Sequence, residues 1–274
     1  MKGIFSAVKY VFVNIIFYGF LTLPLALLLA LKFNGAGYTD FLFRLSESEN
    51  KTLMHYYSRF SLLPGFEIPS VINVFLIVSF IVLGVLTFSV AFAYMERHLK
   101  YGIKSVKKAF VNINHTFLTI FPAIFFLLIF EELIALIAAL FANLFNVAGY
   151  SGVGLTMPFI LIGMMVLSFY FLSMFAFYVP IRLFTGYTTR DSVRYSIRLA
   201  SGSHTKTVLA LFLPFFAVSV LTHAFALFCG VQTINMLVSV ICYIFLLNYI
   251  PAYLMTKYMS LSGMERKDFI PKLF

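Results

Sequence analysis

The stretch FLTIFPAIFFLLIFEELIALIAALFA, residues 117–142, decides the fold class. Its only charges are Glu131 and Glu132, and about 20 apolar residues suffice to cross a ~30 Å hydrocarbon core. A backbone in hydrocarbon must satisfy its own N–H and C=O groups, so such a run is expected to be a helix. A barrel strand would instead alternate with period two over about 10 residues.

Working outward, five more runs of the same kind lie at 10–31, 70–94, 155–179, 207–229 and 232–256. Across the 274 residues, 62% are hydrophobic and 11% charged, against about 45–50% and about 25% in soluble domains. The expected architecture is all-α: a polytopic helix bundle of about six transmembrane spans forming one membrane domain over residues 1–274. The first run, Tyr10 to Leu31, is longer than the 7–15 apolar residues of a typical signal peptide. It is expected to be a retained span, kinked at Pro24.

The net charge is +10, but its placement argues against nucleic acid as a partner. Sixteen Lys and Arg flank the spans on one side: two at the N-terminus, five after span two, five after span four and four in the tail. The other side has four: Lys32, Arg44, Lys51 and Arg59. The basic side is therefore assigned to the cytoplasm, with both termini inside. That orientation suits a multi-pass protein of a cell membrane. The one long outer loop, 32–69, is polar.

The two cytoplasmic connectors, 97–115 and 182–206, are alike. Basic residues recur at i, i+4, i+8 in each, as Lys100, Lys104, Lys108 and as Arg190, Arg194, Arg198. That spacing makes one helical ridge. Val106 and Phe110, or Val193, Ile197 and Ala200, would form an adjacent apolar face. Both connectors are expected to be amphipathic helices on anionic headgroups, with Lys107 among the lipid contacts. The pairs Ser105-Val106 and Ser192-Val193, 87 residues apart, fit a duplication and equally fit two ordinary basic connectors.

The second connector carries a family pattern. Gly186, Asp191-Ser192-Val193-Arg194, Ser196, Arg198-Leu199 and Gly202 resemble the membrane regions attached to some bacterial glycerophosphodiester phosphodiesterases, and their stand-alone relatives. The match covers about 17 residues. The chain departs from the pattern in having no Trp, and no soluble segment is large enough to be expected to hold the phosphodiesterase catalytic domain. The resemblance implies a module of the bacterial cytoplasmic membrane and carries over no hydrolase activity.

Within the spans, Glu131 and Glu132 are the most expensive residues, since carboxylates at depth face the bundle interior, a partner or a water path. Adjacent helix positions point about 100° apart, so the two are expected to need different partners. His223, at comparable depth in span five, is the candidate third member of an intramembrane polar site. Of Asn14, Asn73, Gln232, Asn235 and Asn248, most read as interhelical hydrogen-bonding groups, while Gln232 and Asn235 lie near the outer end of their span, where headgroup water can satisfy them. Cys229 and Cys242 read as small buried side chains. The five His show no metalloprotease spacing, and neither a nucleophile elbow nor a phosphate loop occurs. No cofactor, metal or catalytic residue is expected.

Two functions remain. One is a non-enzymatic accessory or lipid-interacting module, alone, as a homo-oligomer or with another membrane protein. The other is a small-solute or ion permease using Glu131, Glu132 and His223.

Overall fold

A computed structural model describes residues 2–32, 52–61, 71–104, 113–147, 153–228 and 231–268. Every regular element among them is an α-helix. In chain order these are α1 (Lys2–Val13), α2 (Ile15–Lys32), α3 (Leu53–Phe60), α4 (Val71–Tyr101), α5 (Ile113–Val147), α6 (Val153–Phe175), α7 (Tyr178–Thr185), α8 (Thr189–Ser201), α9 (His204–Phe228) and α10 (Gln232–Leu261). Among the described residues, five segments are long and apolar enough to cross a membrane: Val74–Tyr101, Ile113–Phe145, Ile162–Thr185, His204–Ala226 and Gln232–Leu261. The bent pair α1–α2 makes a sixth if counted as one span. The protein is an all-α, multi-pass membrane bundle.

The bundle is organised around α10. Of its most apolar window 56% is buried, against 22–33% for the other four. α1, α2, α4 and α9 all pack on it. Lipid tails are as apolar as Leu, so burial itself drives little association here. Close packing and interhelical hydrogen bonds do the work. Small residues let the backbones approach: Ala7, Ala26, Ala30, Ala91, Ala93 and Ala252 are all buried. Large side chains turn outward instead, as with Phe121, Phe125 and Leu118 on α5.

Several expected boundaries move. The first span does not run unbroken from 10 to 31: the chain turns by 89° between Val13 and Ile15. The break falls at Asn14, not at Pro24, which sits inside α2. Asn14 Nδ2 donates to the Tyr10 carbonyl at 2.8 Å, holding the corner that an uninterrupted ladder would straighten. In span four the helix breaks at Ala176-Phe177 and resumes as α7, so 182–185 belong to a helix rather than to a connector. Pro180 sits in the first turn of α7, where its missing N–H costs least.

The first connector is also shorter than 97–115, because Arg97–Tyr101 complete α4 and Ile113–His115 open α5. Its middle, with Val106, Lys107, Lys108 and Phe110, lies outside the described residues, as does the first copy of the 87-residue repeat. The polar stretch between the first two spans contains a helix, α3, which packs on α5.

α4 ends at Gly102, whose φ of 68° is left-handed. The Lys267 carbonyl lies 3.0 Å from where a Cβ would project. The Lys267 N–H donates to the Leu99 carbonyl at 2.9 Å. The segment after α10 is thereby strapped across the end of α4, and a side chain at 102 would clash with it.

Candidate functional site

α8 is the element the basic ridge predicts. Thr188 caps it: its Oγ1 accepts from the Asp191 N–H at 3.3 Å and donates to Asp191 Oδ2 at 2.6 Å. Arg190, Arg194 and Arg198 are exposed along one ridge. Of the apolar face expected at Val193, Ile197 and Ala200 for contact with headgroups, only Ala200 turns into the bundle, and α8 meets the bundle along a separate buried seam. It consists of Ser192, Ser196 and Ala200, and Ile197 points outward, 41% exposed.

The reason is the broken span beside it. Ser196 Oγ donates to the Met174 carbonyl at 2.9 Å and accepts from the Phe177 N–H at 3.2 Å. It takes up two backbone groups that the helix break releases. A serine is needed there, so the seam is small and polar rather than apolar.

Around the ridge, cations divide into engaged and unengaged. Arg182 Nη1 donates to the Tyr178 hydroxyl at 2.9 Å and to Thr189 Oγ1. Lys100 Nζ lies 5.5 Å from the Tyr101 ring centre and 5.7 Å from that of Phe184. Lys104 is exposed. Arg194 and Arg198, with Tyr187, Tyr195 and Asp191, line an open groove of about 230 Å³. The two tyrosine rings meet edge to face, 6.3 Å apart at 89°.

The two glutamates face different neighbours, as their 100° offset requires. Ser168 Oγ on α6 donates to Glu131 Oε2 at 2.8 Å. The Tyr57 hydroxyl on α3 donates to Glu132 Oε2 at 2.9 Å, and Ser61 Oγ donates to Oε1 at 3.0 Å. Burial, with the adjacent Glu132 carboxylate, pushes the Tyr57 phenol up to about 12. His223 Nδ1 lies 2.6 Å from the Ser219 carbonyl of its own helix. Among the described hydrogen bonds, none joins His223 to either glutamate.

A second polar cluster was not singled out from the sequence. His98 Nδ1 lies 2.9 Å from the Tyr10 hydroxyl, which lies 3.3 Å from the Tyr18 hydroxyl. Tyr94 packs edge-on against Tyr18 at 5.6 Å. Deeper, Asn248 Nδ2 donates to Thr22 Oγ1 at 3.0 Å and to the Ile244 carbonyl at 2.7 Å. The signal available was a tyrosine eight residues before another in a run that also holds Phe12, Asn14 and Phe17. Tyrosine is common enough at membrane interfaces for that signal to pass unread.

Ser173 Oγ and His204 Nδ1 are 3.0 Å apart. Ser173 is fully buried and also donates to the Tyr170 carbonyl at 2.7 Å. No substrate carbonyl could reach it. Among the described residues no group of three or more His, Cys, Asp or Glu could hold a metal ion. No protein-family model, curated protein or solved structure matches this chain.

Proposed function

We propose that this chain is a non-enzymatic multi-pass membrane module whose basic face engages anionic lipid headgroups at the inner leaflet. The observation that carries the reading is the mounting of α8. Its neutral seam is locked into the bundle by Ser196, which leaves Arg190, Arg194 and Arg198 facing outward beside the exposed Tyr195 and Ile197. Cations flanked by amphipathic aromatic and aliphatic side chains suit the headgroup–acyl boundary. Each basic residue near an anionic surface is worth about 1 kcal/mol. The sixteen-to-four bias puts this face in the cytoplasm, where anionic lipid is the natural counter-charge. The resemblance at 186–202 supports a membrane-resident role.

The test is to reconstitute the full chain in phosphatidylcholine bilayers with spin-labelled lipids. The motionally restricted fraction should favour a phosphatidylglycerol label over a phosphatidylcholine label, less so at high salt. Changing Arg190, Arg194 and Arg198 together to Gln should reduce that preference about tenfold or more, given about 1 kcal/mol per cation. Equal restriction of both labels in the unmodified protein would overturn the proposal. Proton- or ion-coupled uptake into proteoliposomes that vanishes in Glu131→Gln/Glu132→Gln would favour a permease instead.

A further inference from the structure

We infer that the groove on α8 is a binding site for one headgroup class, the zwitterionic headgroup of an aminophospholipid. Its phosphate lies between Arg194 and Arg198, and its primary ammonium on Asp191 beside the Tyr187 and Tyr195 rings. This rests on the headgroup-contact reading above and departs from it at one place: in this groove a zwitterion is held in preference to the anionic lipid that the rest of the basic face attracts.

Three observations carry it. First, neither Arg194 nor Arg198 has a hydrogen-bond or ion-pair partner among the described residues, whereas Arg182 and Arg266 are both engaged. Four residues apart, the two side chains leave the helix about 5–6 Å from each other at Cβ, which lets their guanidiniums converge on one phosphate. Second, the same groove contains a carboxylate. A site for a bare anion would be weakened by Asp191, while a ligand carrying an ammonium uses it. Asp191 Oδ2 accepts from Thr188, and Oδ1 retains its accepting capacity. Third, the edge-to-face tyrosines give a corner of two aromatic walls, the surface on which an ammonium is attracted by the ring quadrupoles.

The order along the helix is acid, base, base. Asp191 sits one turn before Arg194–Tyr195, and Arg198 one turn after, at about 5.4 Å per turn. A phosphate joined to an ammonium by two carbons matches a one-turn offset between opposite charges. Phosphatidylglycerol supplies only the phosphate. A choline headgroup supplies a cation with no N–H to give Asp191.

The test uses the full chain in mild detergent, offered equimolar phosphatidylethanolamine, phosphatidylglycerol and phosphatidylcholine, with retained lipid counted by native mass spectrometry. The ethanolamine lipid should be retained over the glycerol lipid by about fivefold, the scale of one exposed ion pair. Asp191→Asn keeps an oxygen for the Thr188 hydroxyl, and should bring the two lipids level with no loss of thermal stability. Tyr195→Leu, which leaves the cap untouched, should also lower the ethanolamine preference. Arg194→Gln/Arg198→Gln should release both lipids.

Retention of the glycerol lipid at or above the ethanolamine lipid would overturn this inference and leave the anionic-headgroup reading standing. An Asp191→Asn protein with unchanged selectivity would do the same. No lipid held above phosphatidylcholine would sink both. Soluble phosphoethanolamine competing for the site supports the headgroup as the recognised part. Soluble phosphoethanolamine binding without retained lipid would overturn the lipid as ligand.

Discussion

Among the described residues, two of the bundle's polar clusters are built on opposite plans. Around α10, Tyr10, Tyr18, His98, Thr22 and Asn248 join α1, α2, α4 and α10 through neutral side chains, most of them fully buried. On α5, Glu131 and Glu132 reach in different directions to hydroxyls on α6 and on the segment around α3, and both are only partly buried. Hydrocarbon penalises an ion far more than a phenol. The central ties are therefore neutral, and the acids lie where hydroxyl donors can be brought to them. The first cluster holds the bundle together, while the second fastens one short helix and one neighbour to its flank.

Three measurements can break or sharpen that contrast. Tyr18→Ala empties a site with no exposure in the central cluster and should cost about 3–5 kcal/mol, seen as global unfolding at lower denaturant in mixed micelles. A loss confined to local opening would break the comparison. Glu132→Leu removes the acceptor of Tyr57 and Ser61 and should cost about 1–3 kcal/mol, the scale of unsatisfied buried donors. Its signature should be local: faster hydrogen exchange in 53–60 with the α10 amides still protected. Slower or unchanged exchange there would remove Glu132 as the fastener of α3.

The smallest effect concerns the Tyr57 phenol. Its value is raised from 10 to about 12, so the folded protein holds the proton more tightly than the unfolded chain. Its stabilisation is complete below about pH 10 and is lost as pH rises through about 12. The alkaline absorbance titration of the native protein minus that of Tyr57→Phe should show one phenol ionising late. A difference curve centred near 10 would place Tyr57 away from the carboxylate.

The sequence made some of this legible and hid the rest for identifiable reasons. The Arg190, Arg194, Arg198 ridge was readable because charge at helical spacing is a local signal. The seam beneath it was not, because Ser196 is buried to complete a break in another helix, Ser192 bonds back to the Tyr187 carbonyl, and buried serines leave no apolar periodicity. The glutamates' divergence followed from helix geometry, yet their partners did not. Tyr57 and Ser61 lie 75 and 71 residues away in sequence, and no periodicity reports a contact at that separation. At the first span, Pro24 drew attention as the disruptive residue, whereas the turn falls at Asn14. Proline can be carried inside a membrane helix, but an asparagine that bonds back to Tyr10 offers the backbone a different path.

The right-angled start of the chain has a consequence for biosynthesis. α1 and α2 both find their main partner in α10, yet α2 ends at Lys32 and α10 begins only at Gln232. At about 5–20 residues per second, a ribosome would take roughly 10–40 s to deliver the missing neighbour. Through that interval Tyr10 and Tyr18 can already pair with each other and with His98, while the faces of α1 and α2 that meet α10 must rest on lipid, an insertase groove or a chaperone. Ribosomes stalled before residue 232 should therefore hold α2 against that machinery, and release it only once α10 emerges.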